Sequence, residues 1–171
     1  ITVKFESDEK NPVIKYSHAN QPAWTDSCVE FFLAPYPDEQ GNYLNFEQSL
    51  GGALLLQKGP NAADRTYIPH SDEYFETEKQ IGENGWKIKF FIPFSFIDKH
   101  FATMNKKFRG NFQFCCEDKD VYLTWNRIEN PFPAFHKHEY FGEMTLDMSV
   151  LDRMTAECIK YGYNVFEMCE M

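Results

Sequence analysis

An all-β domain, two antiparallel sheets packed as a sandwich or jelly roll with a short C-terminal helix, is the fold this sequence predicts. Three observations predict it. Hydrophobic alternation at period two recurs along most of the chain. Clusters of Gly, Pro, Asn and Asp separate the alternating runs. No strand–helix–strand rhythm of the kind that builds parallel sheets intervenes. At 171 residues the chain holds one domain with a sizeable core. Aromatic residues make up 17%, more than such a core needs, which favours strands and leaves flat faces available for ligands.

The elements follow in order. Ile1, Val3 and Phe5 share one face of an opening strand, with Thr2, Lys4 and Glu6 opposite. A chain that begins inside a strand is expected to follow a leader or another strand. Residues 27–34 form a strong strand, with Val29, Phe31 and Leu33 on one side and Cys28, Glu30 and Phe32 on the other. Turn chemistry at 35–41 returns the chain into a partner strand at 42–48, a hairpin. Residues 53–57 give a short apolar strand, and 58–73 read as a loop broken by Gly59-Pro60 and Pro69. Segments 74–81 and 86–92 flank Gly82-Glu-Asn-Gly85 as a second hairpin, with Trp86, Ile88, Phe90 and Ile92 facing the core. Pro93 ends that strand, 94–107 is irregular or weakly helical, and 111–116, 121–125 and 139–146 complete the strands. The sandwich is expected over 1–146. Over 147–171, Ser149 opens a capping box, and Val150, Leu151, Met154, Cys158 and Tyr161 follow at helical spacing, predicting an amphipathic helix packed on the sheets.

Charge narrows the partners. A net charge of −9 without a basic stripe argues against nucleic acid and anionic membranes. No apolar run approaches the ~20 residues of a membrane-spanning helix, and no basic start with an apolar core marks a signal peptide. Five cysteines, in no metal-like spacing, read as small buried thiols rather than a disulfide framework.

Catalytic signatures for zinc proteases, serine hydrolases, dinucleotide and phosphate binding are missing. His136 and His138 would share a strand face, but a metal site needs a third ligand that the spacing does not offer. Asp26 and Glu30, four apart on one strand, lie ~13 Å from each other, beyond the ~5–9.5 Å separations of glycosidase carboxylate pairs. What stands out is two tryptophans at strand–loop junctions. Trp24-Thr-Asp-Ser-Cys-Val-Glu30 places an indole before a strand and a carboxylate near its start, and Val121-Tyr-Leu-Thr-Trp125-Asn126 ends another strand with a second indole. Exposed, they would form a slot for a pyranose ring, whose C–H faces suit indoles and whose hydroxyl rim suits carboxylates and amides. Buried, they are packing residues. Spacing alone leaves both readings open.

The segment Pro22-Ala-Trp-Thr-Asp-Ser-Cys-Val-Glu-Phe-Phe32 resembles the Trp-x-Asp-Asp/Ser-x-Val-Glu signature of family 9 carbohydrate-binding modules, in particular the family 9-like domains common in Bacteroidetes. Asn42-Tyr-Leu-Asn-Phe-Glu47, Gly85-Trp-Lys-Ile-Lys-Phe-Phe-Ile-Pro93, Thr124-Trp-Asn126, Pro133-Ala-Phe-His136 and Glu139-Tyr-Phe-Gly142 resemble further blocks of the family in the same order. The resemblance implies a β-sandwich that holds a sugar, often a glycan's reducing end, between Trp24 and Trp125, with Glu30 as the ligand-binding carboxylate. Asn45, Glu47, Asn126 and His136 are secondary candidates. It also implies a structural calcium, for which the turn at Asp38 offers oxygens. Two positions depart from the pattern: Glu47 stands where the family has a sugar-binding Arg, and Tyr122 where it has an Asn.

The function expected is therefore non-catalytic binding of a mono- or oligosaccharide or a polysaccharide end, in an exported glycan-utilisation protein that can carry an attached catalytic domain. Two alternatives stand beside it: a glycoside hydrolase using carboxylates such as Glu30 and Glu47, and a haem or redox sandwich drawing on Met and His.

Overall fold

The computed structural model describes residues 1–35, 41–101 and 106–146. The C-terminal segment expected to be helical and the turn at Asp38 lie outside these residues. Two antiparallel sheets face each other, as the alternation predicts. Strands β1 (Thr2–Ser7), β7 (Gly85–Phe91) and β6 (Glu78–Gly82) form a three-stranded sheet in the order β1-β7-β6. The seven-stranded sheet runs β10 (Gly142–Thr145), β8 (Lys107–Cys116), β2 (Cys28–Ala34), β3 (Tyr43–Ser49), β4 (Leu54–Gly59) and β5 (Thr66–Tyr67), with β9 (Val121–Thr124) also paired to β8. The outer edge of β8 is divided: residues 107–110 pair with β10 and residues 113–116 with β9. A helix, α1 (Phe94–His100), starts after Pro93, and single 3₁₀ turns occupy Ala23–Thr25, Glu117–Lys119 and His138–Tyr140.

The core lies between the sheets. From the larger sheet Val29, Phe31, Leu33, Leu44, Phe46 and Leu56 point inward, and Trp86, Ile88 and Phe90 of β7 meet them from the smaller one. Rings interlock there edge-to-face and stacked, as in Phe46 against Phe75 and Phe31 against Phe112. Trp86 is 2% exposed and donates its indole N–H to Glu9 at 2.9 Å, so its core assignment holds. The 58–73 segment, expected to be loop throughout, contributes two residues to the sheet edge as β5.

One feature was not expected. Every residue of β2 and of β3 is buried, on both faces. In a two-layer sandwich the outer face should be wet. Here Phe135 packs over Cys28, Cys115 and Leu55 on one side and over Phe32, Tyr43 and Phe141 on the other, so the segment after β9 roofs the outer face.

Candidate functional site

Beneath that roof the outer face is polar. Antiparallel pairing sets Glu30 of β2 directly opposite Glu47 of β3 and opposite Gln113 of β8, so three polar side chains form a row across the middle of the sheet. Each is at most 3% exposed, and Asn45 and Asn111 beside them are fully buried. The pleat explains the row: Phe31, Phe46 and Phe112 are the inward neighbours, so the residues flanking them must point outward.

Burying two carboxylates needs compensation. Glu47 Oε1 accepts from Asn45 Nδ2 at 2.8 Å and from Arg65 Nη1 at 3.3 Å. Burial nevertheless pushes the Glu47 carboxyl up to about 7, because the single-nitrogen approach of Arg65 offsets only part of the desolvation. Glu30 Oε1 accepts from the Cys115 thiol at 3.0 Å. Burial, together with Cys115 and Glu47, holds the Glu30 carboxyl well above the usual carboxylate range. His136 stacks on Phe32 at 4.7 Å and bonds through Nδ1 to the Tyr43 hydroxyl at 2.9 Å. Burial lowers its pKa to about 3, so it is neutral at pH 7.

Above this floor opens a cleft of about 670 Å³. Glu30, Glu47 and Cys115 lie at its base. Trp24, Tyr122 and Glu117, the 133–137 segment, and Asn61, Ala62, Ala63 and Arg65 line the rest of it. Among the described residues Glu30 Oε2 at the base, and Asn45 Oδ1 and Gln113 Oε1 on the same face of the sheet but outside the cleft lining, are buried without a hydrogen-bond partner. Such orphans are costly in a folded protein and mark a place where a ligand or water completes the bonding.

The candidates from the sequence divide. Trp24, Glu30, Glu47 and His136 line the cleft together, and Asn45 supports Glu47 from below. Trp125 is 56% exposed but does not line this cleft. Its ring sits edge-to-face on Phe112 at 6.0 Å and lies over Gly142, where a Cβ would come within 2.4 Å of Cζ3. Phe112 belongs to the inward side, so the two exposed indoles occupy opposite faces of the large sheet. Asn126 ties strands instead: its Nδ2 donates to Tyr140 O at 2.6 Å and its backbone N–H to Asn111 Oδ1 at 2.9 Å. Asp26 is likewise structural, its Oδ2 accepting the N–H groups of Lys15 and Tyr16.

Tyr122, legible only as a departure from the family pattern, and Phe135, legible only within a family block, line the cleft with Arg65 and Cys115, which the sequence does not single out as ligand-binding. Tyr122 lines the cleft with Trp24, because it pairs with Cys115 and so shares the outward face. Arg65 brings a guanidinium to Glu47 from another segment, its Nη1 donating to Oε1 at 3.3 Å.

A sandwich with an aromatic-walled cleft over a row of buried amides and carboxyls defines a small-ligand binding domain of the β class. The chain belongs to carbohydrate-binding family 9, whose description matches residues 1–146. A crystal structure from Bacteroides uniformis, described as that of a candidate carbohydrate-binding protein, is similar with 26% identity and a TM-score of 0.65. The match covers 84% of this chain and 71% of that one. No curated protein matches.

Proposed function

We propose that this domain is a non-catalytic module that holds a neutral sugar ring in the outer-face cleft, against Trp24 and Tyr122 rather than between Trp24 and Trp125. The joint lining of one cleft by Trp24, Tyr122, Glu30, Glu47 and His136 carries the reading. A sugar hydroxyl both donates and accepts, so it suits either protonation state of Glu30 at the base without bringing a charge into a buried place. The aromatic pair supplies the stacking face. Membership of the family supports sugar as the ligand class, and the resemblance extends it to the end of a glycan. The setting that follows is an exported protein of glycan utilisation, in which the module serves an attached catalytic domain. Among the described residues no helix is long and apolar enough to cross a membrane.

A hydrolase reading gains nothing from the pair Glu30 and Glu47. Both rise from the same floor in adjacent register, so a sugar would lie over them together. Glycosidase carboxylates instead flank the scissile bond from opposite sides.

The test is titration of intrinsic tryptophan fluorescence with mono- and disaccharides, reducing and non-reducing. Trp24→Ala should weaken binding at least about tenfold, ~1.4 kcal/mol, with little change in Tm. Trp125→Ala should leave the affinity within about twofold. Equal loss in both variants would restore the paired-indole slot, and the absence of any saccharide response would remove the reading.

A further inference from the structure

We propose that Cys28, Cys115 and Glu30 form a three-ligand site for a thiophilic divalent metal ion of the zinc class, with a fourth position open to the cleft. The pairing of β2 with β8 sets Cys28 directly opposite Cys115, and Glu30 follows Cys28 on the same face two residues on. One ligand atom from each, two sulfurs and a carboxylate oxygen, lie within 4.8 Å of one another. Tetrahedral zinc, with bonds of about 2.3 Å to sulfur and about 2.0–2.2 Å to carboxylate oxygen, holds its ligand atoms roughly 3.5–3.8 Å apart. The observed spread brackets that range, and the Cys115 Sγ to Glu30 Oε1 distance of 3.0 Å needs to open by about half an ångström to meet it.

Two further observations point the same way. Glu30 Oε2 is buried without a partner while Oε1 faces the thiol, so the carboxylate can take a metal with one oxygen and a cleft ligand with the other. Cys115 and Glu30 both line the cleft, which gives an ion a route in and leaves one coordination position turned towards it. A site with three protein ligands and one open position is the arrangement of metal centres that bind exchangeable ligands, whereas purely structural centres are closed by four. Metal binding replaces the two thiol protons and the proton that Glu30 carries when its carboxyl is neutral; these pass to solvent, and no electron changes hands. The sugar reading does not depend on this site.

The experiment uses the full chain, reduced and freed of metal, titrated with Cd²⁺ alone while the thiolate-to-cadmium charge-transfer absorption is followed. The expected result is saturation at one equivalent, with Zn²⁺ displacing Cd²⁺. Cys28→Ala and Cys115→Ala should each weaken binding about 100-fold or more, beyond what outer supporting residues cost. Cys116→Ala should not, since Cys116 is buried on the other side of β8. Glu30→Gln, which keeps shape and both thiols, should weaken binding about tenfold or more, and it guards against a cysteine variant that merely fails to fold. No band at stoichiometric Cd²⁺, a band undiminished in both Cys28→Ala and Cys115→Ala, or an unchanged affinity in Glu30→Gln would overturn the site. Cd²⁺ binding without any saccharide response would keep this inference and remove the other.

Discussion

Glu47 and Glu30 face each other across one strand pair, and their protonation links the cleft to the stability of the sheet. The folded-state value of Glu47, about 7, lies above the ordinary 4.5. Its contribution is therefore fully present below pH 4.5 and is lost as pH rises through about 7. Glu30, raised in the same direction, adds to that slope. His136 opposes it: its value is lowered from 6.5 to about 3, so its contribution is present above pH 6.5 and lost as pH falls towards 3. Thermal melts across pH should show Tm falling on the alkaline side, and the double replacement Glu30→Gln/Glu47→Gln should remove that fall while keeping the acid loss from His136. An alkaline slope unchanged in the double variant would show that the carboxyls are not held neutral. At this scale the sequence told much about identity and little about pairing. Trp24 and Glu30 were legible because the local motif places them. Arg65 and Cys115 were not, since Cys115 meets Glu30 only through the register of β2 with β8 and Arg65 reaches Glu47 from the segment before β5.

Among the elements, the hairpin of β6 and β7 turns on a two-residue loop whose last partner is Gly85. Its φ is +133°, and a Cβ there would stand 1.9 Å from the carbonyl oxygen of Ser7 on β1. Both the backbone conformation and the closeness of β1 demand glycine. Gly85→Ala should destabilise the domain by about 2 kcal/mol or more, read as a fall in urea midpoint, while Gly82→Ala, whose Cβ would meet its nearest neighbour at 3.7 Å, should cost much less. Equal effects would mean that β1 and β7 can separate cheaply. The strands themselves were legible because alternation of residue type runs through them: β7 buries Trp86, Ile88 and Phe90, exposes Lys87 and leaves Lys89 half-buried. Which face of β9 carries the site was not. Parity separates Tyr122 from Trp125 on paper, but only the pairing of Tyr122 with Cys115 tells which of the two looks onto Glu30. The two-residue β5 is too short to leave any period.

For the molecule as a whole, a net charge of −9 coexists with a cleft whose two buried carboxyls are pushed towards their neutral form by burial. Surface charges are screened within about 10 Å at 0.1 M salt, and an uncharged ligand feels them little. Saccharide affinity should therefore change less than about twofold when the ionic strength is raised tenfold, measured by the same fluorescence titration. A steep loss with salt would instead identify an anionic sugar paired with Arg65 and Lys137. The two-sheet architecture was legible from the chain, since alternating runs and turn clusters specify it together. The polar outer face was not foreseen: Gln113, Glu30 and Glu47 look like solvent-facing residues until the segment carrying Phe135 folds across them.

That roof separates two kinds of inheritance within one domain. The base of the cleft is the centre of the sheet, where β2 is held by β8 on one side and β3 on the other, so its geometry cannot drift without unfolding the protein. The walls come from the 61–65 and 133–137 segments, which carry little of the sandwich's own hydrogen bonding. The shape of the cleft can thus be rewritten at Asn61, Ala62, Ala63 and Lys137 at small cost to folding, whereas Phe135 and His136 hold the roof to the strands beneath.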